Sequence, residues 1–186
     1  MILGVTGTLG SGKGTVVDYL VGQKGFGHLS VTAFMKGIAK SRGIEPDRTV
    51  YRDIANEFRA EGPTRLLEAT LEDGKKRLGA SGDYVLEALH TRAEVAFVQS
   101  QGGVVFGVDA DLRTRYERIV LRGSEKDHVS FEEFSAHETL ESKPTEGSSN
   151  DLAGALRAAD YRIENDGSLE ELHAKIDAVF EKVRSR

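Results

Sequence analysis

The chain has 186 residues, 39% hydrophobic and 30% charged, with a formal charge of −5 and no cysteine. That length and apolar content predict one globular domain with a sizeable core, and no stretch approaches the roughly 20 apolar residues that cross a bilayer. The missing cysteines exclude disulfides, cysteine-based zinc sites and thiol nucleophiles and fit the cytoplasmic location expected here; the acidic balance argues against a general nucleic-acid binder and leaves room for a small anionic ligand held by a local cluster.

An apolar run opens the chain, Met1-Ile2-Leu3-Gly4-Val5, with no basic segment ahead of it, which argues against a signal peptide. It leads into Gly7-Thr8-Leu9-Gly10-Ser11-Gly12-Lys13-Gly14-Thr15, followed by the helical pattern Val16-Val17-Asp18-Tyr19-Leu20. A buried strand, a glycine-rich loop and a helix form the context of a phosphate-binding loop. Successive loop N–H groups make a concave anion site, and the helix N-terminus adds its partial positive charge. Glycines let the backbone approach the phosphates, and Lys13 reaches the outer ones as a point charge. The candidate nucleotide-binding residues are therefore Gly7, Leu9, Gly10, Ser11, Gly12, Lys13, Gly14 and Thr15. The common pattern G-x-x-x-x-G-K-[ST] is not met strictly, because Gly14 follows the lysine and the hydroxyl arrives at Thr15. Read as G-x-x-G-x-G-K-G-T, the loop resembles that of adenylate-kinase-type nucleotide kinases, in which this threonine sits near the Mg²⁺–phosphate site. The plainer alternative is a glycine-rich turn with an exposed lysine.

Further buried strands are expected near residues 27–31, 83–87, 103–108 and 160–164, with helical patterns between them. Strands alternating with helices predict an α/β fold: a three-layer P-loop arrangement with a five-stranded parallel sheet. Residues 32–82 read as a helical insertion broken at Gly43 to Pro46 and at Gly62-Pro63, the expected acceptor-binding part. The core is then 1–31, 83–122 and 152–186 of a single kinase domain. In the third strand, Asp83-Tyr84-Val85-Leu86-Glu87-Ala88-Leu89-His90, Glu87 emerges from an apolar run next to the loop strand. It could order the hydration shell of Mg²⁺ together with Thr15, act as general base toward a hydroxyl, or cap the following helix. After the fourth strand comes the helical pattern Leu112 to Arg122, with Arg115, Arg118 and Arg122 on one side and Leu112, Tyr116 and Ile119 directed at the core. The arginines form either a phosphate clamp or a solvated basic face. Residues 123–151 are polar, and Ser130 with Glu133 makes a capping box for a short helix. A segment this long inside a compact domain is usually functional or mobile, so it is expected to be a lid, with a solvated surface loop as the alternative. The final helix has Leu169, Leu172, Ile176, Val179, Phe180 and Val183 at helical spacing behind a capping box of Ser168 and Glu171. The histidines at 28, 90, 128, 137 and 173 have no metal-site spacing; all but His90 read as solvated or partly packed.

On these segments the whole chain resembles the nucleoside monophosphate kinase branch of P-loop phosphotransferases, and is especially similar to archaeal dephospho-CoA-kinase-like ATPases. The glycine loop carries the resemblance, with Arg118-Ile119-Val120-Leu121-Arg122 matching the R-x-x-x-R of the lid-entry helix. The run from Ala159 to Leu172, containing Asn165-Asp166-Gly167, matches the final strand and the loop near the base. The resemblance implies ATP and Mg²⁺ as cofactors, Arg118 packed on adenine, Arg122 on phosphates and Asn165 to Gly167 bordering the base. Lys13, Arg118, Arg122 and Glu87 are the implied catalytic set. It implies a small-molecule phosphoryl acceptor, with no nucleic-acid or membrane partner and a monomeric or homodimeric state. The departures fall on the acceptor side. Where adenylate-type kinases carry D-G-x-x-R, this chain has Glu87-Ala88-Leu89-His90 with Arg92 close behind, and after the second strand only Lys36 keeps a charge. Lys36, Arg59, His90 and Arg92 are the candidate acceptor-binding residues. A nucleotide or nucleotide-like acceptor is favoured; a hydroxyl acceptor, as in dephospho-CoA or nucleoside kinases, and an acceptor-free switch or ATPase are the alternatives.

Overall fold

The computed structural model describes residues 1–79, 82–123, 130–141 and 151–185. Five strands, β1 (Ile2–Gly7), β2 (Gly27–Ser30), β3 (Tyr84–Leu89), β4 (Val104–Asp109) and β5 (Tyr161–Glu164), form one sheet in the order β2-β3-β1-β4-β5. All four pairings are parallel. The helices in chain order are α1 (Lys13–Lys24), α2 (Val31–Ser41), α3 (Arg48–Glu61), α4 (Arg65–Leu78), α5 (Arg92–Ser100), α6 (Leu112–Arg122), α7 (Phe131–Glu141), α8 (Leu152–Ala158) and α9 (Leu169–Arg184). The expected α/β sheet is therefore present, its strands within two residues of the predicted bounds. Of the expected lid, Gly123, Ser130, α7 and Asp151 are described; residues 124–129 and 142–150 lie outside the described residues. Among the described residues no helix is long and apolar enough to cross a membrane.

Two apolar layers follow from the period of two along the central strands. Leu3, Val5, Val85, Phe106 and Val108 face α1 and α9, meeting Val16, Val17, Leu20, Leu172, Ile176 and Phe180. Tyr84, Leu86, Leu89 and Val105 face the other way, onto Leu67 and Leu71 of α4, Val95 and Val98 of α5 and Ala155 of α8. Full burial of such side chains contributes about 1.5–3 kcal/mol each. α4 thus belongs to the sheet's own layer, while α2 and α3 build a separate small core from Met35, Ala39, Ile54 and Ala55.

β3 does not keep its register. Val5 pairs with Glu87 but Thr6 pairs with Leu89, so Ala88 is an extra residue. Thr6 Oγ1 donates to the Leu89 carbonyl at 2.7 Å and pins the bulge. The extra residue returns Leu89 to the α5 side, where strict alternation would have turned it away. Gly4 makes room for it: a Cβ there would stand 2.7 Å from Leu89 Cδ1. Glu87 is left at the carboxyl end of the sheet on the α1 side. The connections of β1 and β3 leave on opposite faces and run to opposite sides of the sheet, and a crevice of this kind is where open α/β sheets bind ligands.

Candidate active site

The glycine loop is held from three sides. Thr8 Oγ1 donates to Asp109 Oδ1 at 2.7 Å, Asn165 Nδ2 donates to the Ser11 carbonyl at 2.8 Å, and Arg115 Nη1 donates to the Leu9 carbonyl at 3.4 Å. Gly12 caps α1 with φ 92°, and a Cβ on it would stand 2.3 Å from Asn165 Nδ2. Only glycine meets both the left-handed backbone and the close approach. With no side-chain cap and no acidic residue in its first turn, α1 keeps its first N–H groups for the loop.

Lys13 Nζ donates to the carbonyls of Gly7 and Thr8, each at 2.8 Å, which places the ammonium across the loop mouth. Burial lowers its pKa; the Glu87 and Glu138 carboxylates oppose that shift, and Arg115 and Arg122 reinforce it. A phosphate beside it would favour the ammonium. The loop cavity, about 600 Å³, is lined by Leu9, Gly10, Gly12, Lys13, Gly14 and Thr15 from the loop, with Asp18, Glu87, Arg118, Ile119 and Arg122 around them. Gly7 and Ser11 stand beneath it, Ser11 fully buried. Arg118 Nη1 and Ser11 Oγ are buried polar atoms without a hydrogen-bond partner among the described residues. A donor left this way costs about 1–3 kcal/mol, and an anion in the cavity would satisfy the guanidinium. The N–H groups, Lys13 and the unpaired Arg118 donor fit a nucleotide polyphosphate. Among the described residues no cluster of three metal-ligating side chains occurs. Mg²⁺ needs only one or two protein ligands beside phosphates and water, and the Thr15 hydroxyl and Glu87 carboxylate line the same cavity.

A second cavity, about 410 Å³, opens on the other side of Glu87, lined by Ser30, Val31, Thr32, Met35, Ala55, Arg59, Leu66, Leu67, Glu87, His90 and Glu94. Glu87 lines both cavities. Of the expected acceptor-binding residues, Arg59 and His90 line this cavity. Lys36 is exposed on α2 and lines neither, and Arg92 Nε donates to Asp151 Oδ2 at 2.8 Å, away from the lining. Asn165 carries its amide under the loop, and Gly167 lines neither cavity. Arg115, expected with Arg118 and Arg122 in a phosphate clamp or on a solvated basic face, is turned inward. It is 7% exposed, its Nη1 is paired with Glu138 of α7, and its Nε donates to the Ala110 carbonyl at 3.1 Å.

Sequence reasoning missed several residues here. Asp109 ends β4 and holds Thr8, with Arg162 Nη2 donating to its other oxygen at 3.0 Å; an acid closing an apolar strand was the visible signal. Glu138 had no sequence signal, since its partner belongs to another helix. His28, read as solvated or partly packed, bonds Glu87: its Nε2 stands 2.7 Å from Glu87 Oε2.

The family profile described as an AAA domain matches residues 3–141. A UPF0200 protein of Pyrobaculum aerophilum is 30% identical over 186 residues, covering 98% of both chains. A UPF0200 protein of Thermococcus kodakarensis is 25% identical over the full length of both. Among solved structures, dephospho-CoA kinase from Campylobacter jejuni superposes with a TM-score of 0.59 at 17% identity, covering 98% of this chain and 96% of its own. Shikimate kinase from Aquifex aeolicus gives 0.54 at 17% identity, covering 98% and 97%. At that identity the likeness establishes a shared fold, the P-loop kinase fold. With its glycine loop, its sheet order and these matches, the chain belongs to the AAA domain family of P-loop proteins and, within it, to the UPF0200 proteins.

Proposed function

We propose that the protein is an ATP-dependent small-molecule kinase that moves the γ-phosphoryl group to an acceptor bound in the second cavity. The observation that carries this reading is Glu87, a carboxylate lining both the loop cavity and the cavity beside it. ATP phosphates would rest on the loop N–H groups, with Lys13, Arg118 and Arg122 neutralising charge that spreads over the transferred group. Phosphoryl transfer asks for such positioning and neutralisation more than for covalent chemistry from the protein. Thr15 would hold Mg²⁺, which neutralises phosphate charge when bound, and Glu87 would either order the water shell of that ion or stay free of it as a proton acceptor.

The acceptor cavity favours a hydroxyl over the monophosphate that the resemblance implies. A monophosphate brings its own negative charge and calls for cationic clamps. Among the described residues Arg59 and His90 are the basic side chains in the lining, and they share it with the carboxylates of Glu87 and Glu94. A neutral hydroxyl avoids that repulsion and uses a carboxylate as proton acceptor. The apolar side chains of Val31, Met35, Leu66 and Leu67 suit the body of such a molecule. A nucleotide-like acceptor is the second reading, supported by Arg59.

ADP formation measured with ATP and Mg²⁺ against a panel of nucleosides, other small alcohols and nucleoside monophosphates tests the proposal. Stimulation by a hydroxyl compound and not by monophosphates is expected; stimulation by monophosphates alone returns the second reading. Turnover that no acceptor changes would mean an ATPase or switch. A folded Lys13→Ala protein serves as control and should lose about 10³-fold in turnover; unchanged turnover would sink the phosphate-loop reading.

A further inference from the structure

His28 lies on the edge strand β2, fifty-nine positions before Glu87 in the chain, and its imidazole meets the one carboxylate common to both cavities among the described residues. Parallel pairing of β2 with β3 puts His28 beside Val85 and Ser30 beside Glu87. Leu29, between His28 and Ser30, turns to the α4 side, so His28 and Glu87 share the α1 face. The bulge at Ala88 interrupts the β1–β3 ladder between Glu87 and Leu89. An ionised carboxylate only accepts hydrogen bonds, so Nε2 of His28 is the donor whenever Glu87 carries its charge. From the loop side, the Lys13 ammonium interacts favourably with the same carboxylate. Glu87 is thus bonded by an imidazole and shares the loop-cavity lining with the Lys13 ammonium, at the point where the two cavities meet.

We propose that His28 is a positioning residue for phosphoryl transfer, fixing the Glu87 carboxylate as proton acceptor for a hydroxyl-bearing substrate. The inference rests on the kinase reading above. In the step, the acceptor oxygen forms its bond to the γ-phosphorus as the bond from that phosphorus to the β–γ bridging oxygen breaks. ADP leaves with the electron pair, and the acceptor's proton passes to Glu87. Nε2–H of His28 spans one carboxylate oxygen throughout, so the carboxylate need not be oriented at the moment of reaction. A purely structural role, stapling β2 to β3, is the competing account, and the two differ in what they do to kcat. His28 is half exposed on an edge strand, so its removal leaves the buried layers intact.

The experiment compares the parent with His28→Ala, His28→Gln, Glu87→Gln and the His28→Ala/Glu87→Gln double variant. It reads ATP affinity by calorimetry, melting temperature, and steady-state ADP formation with the best acceptor of the panel and with water alone. His28→Ala should keep the melting temperature and ATP affinity of the parent and lower kcat about 10- to 100-fold, the scale of one hydrogen bond to a charged group. The acceptor KM should change far less than kcat. His28→Gln, whose amide can donate in place of Nε2, should recover part of the loss. In the Glu87→Gln background His28→Ala should cost almost nothing more, because both changes remove one device. Unchanged kcat in His28→Ala, or losses that multiply in the double variant, would overturn the proposal; so would a fall in melting temperature with kcat preserved. If ATP binds and neither acceptor nor water is phosphorylated, the inference fails while nucleotide binding stands. If ATP does not bind at all, the kinase reading fails with it.

Discussion

Arg115 sits one turn before Arg118 on α6, yet the two guanidiniums have different surroundings. Arg115 is buried against the Leu9 and Ala110 carbonyls, Glu138 and the ring of Phe134, 5.7 Å away. Arg118 lines the loop cavity with one donor unpartnered. Removing one member of a buried pair strands the other charge, so Arg115→Ala should lower unfolding free energy by about 3 kcal/mol. Arg118→Ala removes a donor that no atom of the described residues satisfies. Its stability should stay within about 0.5 kcal/mol of the parent, while turnover falls at least about 100-fold, as for other donors aimed at developing charge. Denaturant midpoints with ADP formation on both variants check the contrast; an Arg118→Ala protein with parental turnover would reduce that arginine to a surface charge.

At the scale of elements, the two capping boxes expected from sequence are formed, Ser130 with Glu133 and Ser168 with Glu171. A cap is readable because its partners lie three residues apart and need no tertiary contact. The joint between α1 and α9 is of another kind. Tyr19 donates its hydroxyl to Asp177 at 2.9 Å, Lys24 pairs with the same carboxylate at 2.7 Å, and the Tyr19 and His173 rings stack at 4.1 Å. The hydrogen bond from Lys24 holds Asp177 below the usual carboxylate range; partial burial opposes this, and Tyr19 adds to it. A depressed carboxyl pKa contributes stability above its unfolded value and loses it as pH falls through the folded value. Asp177→Asn should therefore melt a few degrees below the parent at neutral pH, an exposed pair contributing little more. The gap should close below about pH 4. Thermal melts across that range check it, and a gap that persists in acid would remove the ionic contribution.

For the whole molecule, the sheet order brings two cavities to one carboxylate, and the second is walled by α2, α3 and α4. Thr32 is exposed in the first turn of α2 and lines the second cavity but not the loop cavity. Filling it with Thr32→Trp should leave ATP affinity unchanged and raise the acceptor KM roughly 10-fold, the effect of about 1.4 kcal/mol of lost binding. Calorimetry with ATP, beside acceptor-dependent ADP formation, separates the two. An equal loss of ATP affinity would mean that the cavities do not act as separate sites.

The sequence by itself determined the glycine loop, the parallel α/β sheet, the breaks between α2, α3 and α4, and two of the capping boxes. Each of these depends on short-range pattern: apolar period, glycine at special backbone angles, or a cap three residues from its partner. Only the tertiary structure decided what surrounds Glu87. The His28–Glu87 bond spans 59 positions, Arg115 to the Leu9 carbonyl spans 106, and Asn165 to the Ser11 carbonyl spans 154. Strand order and register bring such partners together, and a one-residue bulge at Ala88 resets which face each side chain meets. No periodicity within a single segment encodes that choice, because it is made by which strands become neighbours and where their ladders stop.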